Sequence, residues 1–327
     1  MRASSTFSSV WPDPNSPVLS KIDFGVPVVE LLKWLDVRDT LLGENNRSQD
    51  IAAALALARD CKHPDAVWLT SISEGKDVST KEKAREVFLC CENDARALCF
   101  ASLLTGGDMS LLCRAAGLGC ALACASLCSL VEKKERFFFS KQAASHHERN
   151  GFFWLGNCFS SGFGCEEDLN LAKKNYLIAA ELGHVSAAAA FGDLLDVSDP
   201  GHWIWTSRVA KCDWSSTFLD SFANHVVQFL SGHGSARIVF AIGYSLKRNV
   251  DMEKREIFGS HPWTYDSLIG PISQAVRFYE SQVRSARLAV DTWTLVGIRF
   301  KIGKDVRKLV GEKIWDSRFE ANYDQLD

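Results

Sequence analysis

The chain has 327 residues, 46% of them hydrophobic, with 10 Trp and 20 Phe, enough for one long repeat array or two ordinary domains with a substantial core. A net charge of −3 and a pI near 6.3 give no global attraction to nucleic acid or anionic lipid. No apolar run reaches the ~18–20 residues that a bilayer-crossing helix needs. Eleven cysteines, an odd number without any Cys-x-x-Cys pair, read as small buried apolar residues in a reducing compartment.

Residues 1–23 are rich in Ser and Pro and lack the continuous apolar stretch of a secretory signal, so they read as a disordered lead-in. Residues 24–61 hold two helices, Val26–Leu42 and Ser48–Arg59, the second capped by Ser48, which are expected to cover one end of a helical array. Residues 62–250 read as that array, and its clearest unit is Gly151–Leu195. There, Phe152, Leu155 and Phe159 share one face of a first helix, and Gly156 on that face permits close backbone approach. Gly162 and Gly164 supply the turn, and Asp168 caps a second helix carrying Ala172, Tyr176, Ala179 and Ala180, which Gly183 ends. A weaker copy runs over Ala66–Cys91, with a turn at Gly75 and Val78 and a capping box at Ser79-x-x-Glu82. The paired small residues that close the second helix recur as Cys90-Cys91, Ala115-Ala116, Ala143-Ala144, Ala179-Ala180 and, degenerately, Val209-Ala210, at intervals of 25, 28, 36 and 30.

Trp214–Phe229 and Ala236–Leu246 read as decayed helices of the same array. A polar junction, Lys247–Gly270, then marks a domain boundary before a helical module over residues 251–327, with a long helix from Pro271 to about Ala289. The dense apolar block Ala286–Tyr323 implies burial or a partner groove. Its basic residues, Arg299, Lys301, Lys304, Arg307, Lys308 and Lys313, interleave with core positions and read as a solvated helix face.

The Gly-x-Gly turn, the capping Asp and the string Ala-x-x-x-Tyr-x-x-Ala-Ala-x-x-Gly resemble the Sel-one-like repeat, a relative of the tetratricopeptide repeat, over residues 62–213. Cys165 stands where that family usually has Val. The resemblance implies an all-α superhelical solenoid and a scaffold or adaptor role in assembling complexes. Secreted members of that family staple the helix turn with two cysteines eight residues apart, and here only Cys91 and Cys99 have that relation. Pro27-x-x-Glu30-Leu31-Leu32 followed by Leu35-Asp36-x-x-Asp39 is similar to the opening of an F-box, which would imply a ubiquitin ligase adaptor.

The sequence assigns no catalytic, cofactor-binding or metal-ligating residue. Ser73-x-x-Lys76 falls in an inter-helix turn, His146-His147-Glu148 lacks the second histidine of a zinc helix, and Gly162-x-Gly164 lacks the third glycine of a phosphate loop. Cys120, Cys124 and Cys128 line one helix face where packing wants small residues. The leading expectation is a non-catalytic scaffold that binds a protein or peptide on a face lined by the first helices, with polar Asn157 and Ser160 as candidate contacts. No nucleic acid, membrane or small-molecule cofactor is expected, and the location is read as cytoplasmic, with the nucleus open and secretion disfavoured. The alternatives are an enzymatic C-terminal module with a pocket uniting His261, Tyr265 and the basic helix, and the F-box-like adaptor.

Overall fold

A computed structural model describes residues 11–44, 49–212 and 265–316, with isolated positions at 221, 224–228, 238–239 and 241–242. Every regular element among the described residues is helical. After a single 3-10 turn at Leu19–Lys21 come α1 (Val28–Leu42), α2 (Ile51–Arg59), α3 (Pro64–Ser73), α4 (Lys81–Leu89), α5 (Ala95–Leu103) and α6 (Met109–Gly117). They are followed by α7 (Ala121–Leu127), α8 (Lys133–Ser145), α9 (Arg149–Ser161), α10 (Leu169–Glu181), α11 (Val185–Asp193), α12 (Pro200–Cys212), α13 (Tyr265–Arg299) and α14 (Lys304–Asp316). Contacts divide the chain into two compact units, Met1–Leu194 and Leu195–Asp327. The division falls earlier than the polar junction expected at Lys247–Gly270, whose residues 247–264 lie outside the described set, as do most of the helices expected at 214–229 and 236–246.

The first unit is an α/α solenoid in which α3/α4, α5/α6, α7/α8 and α9/α10 form successive hairpins and α11 opens the next. The α9/α10 hairpin follows local chemistry closely. Gly162 ends α9 in the left-handed region at φ 64°, and Asp168 caps α10 by accepting from the backbone N–H groups of Asn170 and Leu171, both at 2.9 Å. A Cβ on Gly156 would lie 2.6 Å from the Tyr176 ring, so glycine is what lets the two helices close on each other.

The paired small residues acquire a structural reason at three junctions. Gly119 N–H donates to Ala116 O and Cys120 N–H to Ala115 O. His147 with Glu148 repeats this on Ala144 and Ala143, and Gly183 with His184 on Ala180 and Ala179, all between 2.9 and 3.1 Å. Each pair thus supplies the last carbonyls of a second helix to a left-handed turn. His147 adopts this conformation at φ 59° where the other two turns have glycine. After Cys90-Cys91 the chain makes a tighter turn, with Cys91 N–H on Phe88 O and Asp94 N–H on Cys91 O, and the short first interval also reflects the nine-residue α5 and α6 where α9 and α10 have thirteen residues each. The third residue after each first-helix cap is small and fully buried: Ala66, Ala97, Ala123, Gly151 and Ala187. At Gly151 even a Cβ would meet that of Ala143 at 2.6 Å. One core then runs continuously from Trp34 through Leu69, Phe88, Phe100 and Leu112 to Leu127.

Two caps differ from expectation. The cap of α4 is Thr80, not Ser79, whose hydroxyl instead bonds Asp77. Asp50 caps α2 by accepting from Ala53 N–H, and Ser48 lies outside the described residues.

In the second unit, α13 passes through Gly270-Pro271 rather than starting there. It packs antiparallel on α14 along a seam of Ala286, Val290, Trp293 and Gly297 against Arg307 and Gly311. The Trp293 indole donates to Arg307 O at 3.1 Å, and a Cβ on Gly297 would lie 2.5 Å from Arg307 Cδ. The apolar block is buried only in part, since Leu288, Leu295, Ile298, Phe300, Val306 and Leu309 are exposed.

Candidate functional site

The lead-in is where structure departs most from sequence. From Trp11 onward it is packed along the junctions between hairpins. The Trp11 indole donates to Ala180 O at 2.8 Å, Pro12 lies against Gly183, and Leu19 is fully buried. Further along, Phe24 meets the His147 ring edge-on at 5.2 Å. The expected capping helix α1 therefore does not merely cover one end of the array. Its C-terminal half, from Trp34 to Leu41, is buried except at half-buried Asp36, and it reaches the α2/α3, α6/α7 and α8/α9 junctions.

Two adjacent residues of α1 pair with two adjacent residues at the start of α9. Arg38 Nη1 donates to both carboxylate oxygens of Glu148, at 2.8 and 2.9 Å, and Arg149 grips Asp39 with two nitrogens while also donating to Glu44 at 2.9 Å. The partners lie 110 residues apart in sequence, and Arg38, Asp39 and Arg149 are all nearly inaccessible. Burial opposes charge on Arg38, but the carboxylates of Glu148, Glu44 and Asp39 outweigh it and raise its pKa. Such a pair fixes geometry, because losing one partner leaves a charge buried alone.

Neighbouring histidines serve as neutral caps. His63 Nδ1 accepts from Asp65 N–H at 3.2 Å while its ring stacks on Trp34, and His184 Nδ1 accepts from Ala187 N–H at 3.2 Å while its ring stacks on Phe153 at 4.4 Å. Burial pushes both pKa values down, and for His184 the positive charges of Arg149 and Arg38 add to it, bringing it to about 3. Between α1 and the junctions remains a cavity of about 290 Å³, lined by Phe24, Trp34, Arg38, Cys120, His147 and Glu148 among others.

The residues flagged by sequence have mainly structural employment. Asn157 and Ser160 do not offer free contacts, since Tyr176 O–H donates to Asn157 Oδ1 at 2.7 Å and lies 3.1 Å from Ser160 Oγ, tying α9 to α10. Ser73 and Lys76 do line one open cleft of about 690 Å³, with Arg59 and Glu74 but no histidine. His147 shapes a turn, and Glu148 caps α9 by accepting from Asn150 N–H besides holding Arg38. Gly164 sits so close to α8 that a Cβ would lie 2.9 Å from Lys134 O, while Glu166 and Glu167 are exposed. Cys120 is the cap position of α7, and Cys124 and Cys128 are buried, their thiols pushed up to about 11 and about 12 chiefly by burial. Cys91 and Cys99 are both free thiols, Cys99 fully buried and Cys91 partly so. In α13/α14 the basic residues Arg299, Lys301, Lys304, Lys308 and Lys313 are exposed, and Arg307 lays its stem on Gly297. His261 and the Tyr265 side chain lie outside the described residues. Among the described residues no cluster of three or more His, Cys, Asp or Glu is placed to hold a metal, and no helix is long and apolar enough to cross a membrane.

The first unit is an all-α repeat solenoid clasped by its own N-terminal segment. No family model matches the chain, and no curated protein matches it. Among solved structures it is similar to a protective antigen of uropathogenic Escherichia coli displaying an SLR fold, at 18% identity and a TM-score of 0.44 over 68% of this chain. The match spans 54% of that antigen's chain, about half its length. It is also similar to a Sel1 repeat protein from Oxalobacter formigenes, at 17% identity and a TM-score of 0.36, covering 68% of this chain and 93% of that one.

Proposed function

We propose that this chain is a non-catalytic scaffold that binds a protein or peptide partner along its solenoid, without a small-molecule cofactor. The observation that carries this reading is the clasp itself. Successive hairpin junctions already hold a stretch of polypeptide, through the Trp11 indole at Ala180, the Phe24 ring at His147 and the bidentate pairs of Arg38 and Arg149. A surface made of repeated helix ends and turns holds extended and helical segments by the same devices that it uses on its own. Half-exposed cation–π pairs lie on the solenoid, among them Arg96 over Trp68 at 4.9 Å beside these junctions and Arg136 over Trp154 at 5.0 Å toward the α7/α8 turn. Trp and Arg are the side chains that most often dominate binding energy at interfaces.

The test is affinity capture on the intact chain, followed by titration of the captured protein against Trp154→Ala and Arg96→Ala variants whose folding is checked by circular dichroism. Loss of a hot spot weakens binding by about 2 kcal/mol, roughly 30-fold, in at least one variant. A partner that binds both variants like the parent, or no partner at all, counts against the reading.

A further inference from the structure

Three successive hairpin junctions share one backbone feature, a left-handed residue after the paired small residues: Gly119 at φ 88°, His147 at φ 59° and Gly183 at φ 86°. The N-terminal segment lies along all three. A Cβ on Gly183 would meet Pro12 at 3.3 Å, Phe24 meets the His147 ring edge-on at 5.2 Å, and Gly119 lines the cavity of about 290 Å³ together with Phe24 and Trp34. The solenoid thus already seats a polypeptide in a groove whose anchoring points recur once per hairpin.

The two parts of that polypeptide are held very differently. Helix α1 is locked by the buried pairs of Arg38 with Glu148 and Arg149 with Asp39, and each would leave a charge stranded if it opened. Residues 11–24 reach the array through neutral groups, with the Trp11 indole on Ala180 O at 2.8 Å, Pro12 on Gly183, buried Leu19 and the Phe24 ring. Inside the segment the bonding is local and travels with it: Asp13 O accepts from Ser16 N–H at 3.1 Å, Ser16 O from Ser20 N–H at 3.0 Å, and Ser16 Oγ from Val18 N–H at 3.2 Å. Asn15, Pro17, Ser20, Lys21 and Asp23 are exposed even in the docked state. Between the two parts stands Gly25, exposed, at φ 71° and with open space where a Cβ would be, so the backbone is free to turn there.

We propose that the groove over the α8/α9 and α10/α11 junctions is where the solenoid takes its partner, and that Trp11–Phe24 is a resident competitor which the partner displaces while α1 stays in place. This rests on the scaffold reading above and adds the surface, the chemistry of the partner and an autoinhibitory step. The fitting partner is a polypeptide segment that repeats the anchors of the occupant. It carries an aromatic ring with an N–H donor for Ala180 O, a proline beside it for Gly183, an aliphatic side chain to fill the place of Leu19 and a second aromatic ring for His147. A tethered occupant of this kind lowers the apparent affinity for any rival by the fraction of time that it leaves the groove open.

The test uses the full chain and a fluorescein-labelled peptide of residues 9–25, titrated by anisotropy against the parent and against a variant with Trp11→Ala and Leu19→Ala, which frees the tethered segment. The expected result is saturable binding to the double variant, at least about tenfold tighter than to the parent, and loss of binding by a peptide carrying the same two substitutions. Equal binding to both proteins, or no binding to a double variant whose residues 11–24 exchange amide hydrogens freely, overturns the proposal. A double variant in which those residues stay as protected as in the parent overturns it too. A second measurement is made on the parent alone and so does not depend on how the variant folds. Residues 13–24 should exchange at least about tenfold faster than Trp34–Leu41, and a common rate for the two stretches overturns independent release. A peptide that binds as expected while affinity capture returns no partner supports the displaceable segment and fails the scaffold reading; a captured partner without peptide binding fails this groove and leaves that reading standing.

Discussion

The α9/α10 hairpin and the N-terminal clasp are held by opposite kinds of interaction. The determinants of the hairpin all lie within its own two helices and the turn between them: Gly162 in its left-handed turn, Asp168 on two N–H groups, Gly156 against Tyr176 of the next helix. The clasp has no such local logic. Trp11 finds its acceptor 169 residues away, and Arg38 its carboxylate 110 residues away. A repeat array can therefore be specified turn by turn, whereas the segment that secures it depends on side chains that meet only once the array exists.

The largest test of this contrast is Arg149→Ala, which removes the two-nitrogen grip on the buried Asp39 carboxylate. Urea unfolding should show a loss of about 3–5 kcal/mol, far more than a surface substitution gives. A loss below about 1 kcal/mol would mean that the Arg149–Asp39 pair contributes little to holding α1.

A pH series addresses the same junctions through His184. Its pKa of about 3 lies below the ordinary value of 6.5, so above pH 6.5 both folded and unfolded chains carry it neutral. As pH falls from there toward 3, the unfolded chain gains a proton that the native state refuses, and stability drops by up to about 1.4 kcal/mol per pH unit. His184→Asn keeps an acceptor for Ala187 N–H and removes the titration, so its stability should fall less steeply over that window. Equal slopes would contradict the neutral-cap assignment.

Within the hairpin the effects should be smaller and local. Gly156→Ala drives a methyl group into the Tyr176 ring and should cost about 1–3 kcal/mol in thermal or urea unfolding. Asp168→Ala removes a cap and should cost about 1 kcal/mol, with the loss confined to faster amide exchange in the first turn of α10.

How far the sequence reaches is set by the same physics. The helical periods, the glycine turn and the small pairs are legible because they are short-range. Thr80 replaced Ser79 as a cap because neighbouring hydroxyls are indistinguishable until Asp77 is seen to engage Ser79. Asn157 and Ser160 looked available as polar residues on a first helix, and only the placement of the Tyr176 hydroxyl shows them engaged. The Ser- and Pro-rich composition of residues 1–23 carried no sign of order, since the order of Trp11 to Lys21 rests on a docking site elsewhere. Pro271 marked a helix start by rule, but α13 had already begun at Tyr265.

Hydrogen–deuterium exchange of the intact chain tests the central claim most directly, by comparing α1, residues 28–42, with α9, residues 149–161. If α1 is an integral clasp, its C-terminal half from Trp34 to Leu41 exchanges as slowly as α9, and Arg149→Ala releases it selectively. Exchange of α1 within seconds in the parent protein, while α9 stays protected, would show that the segment does not hold the solenoid.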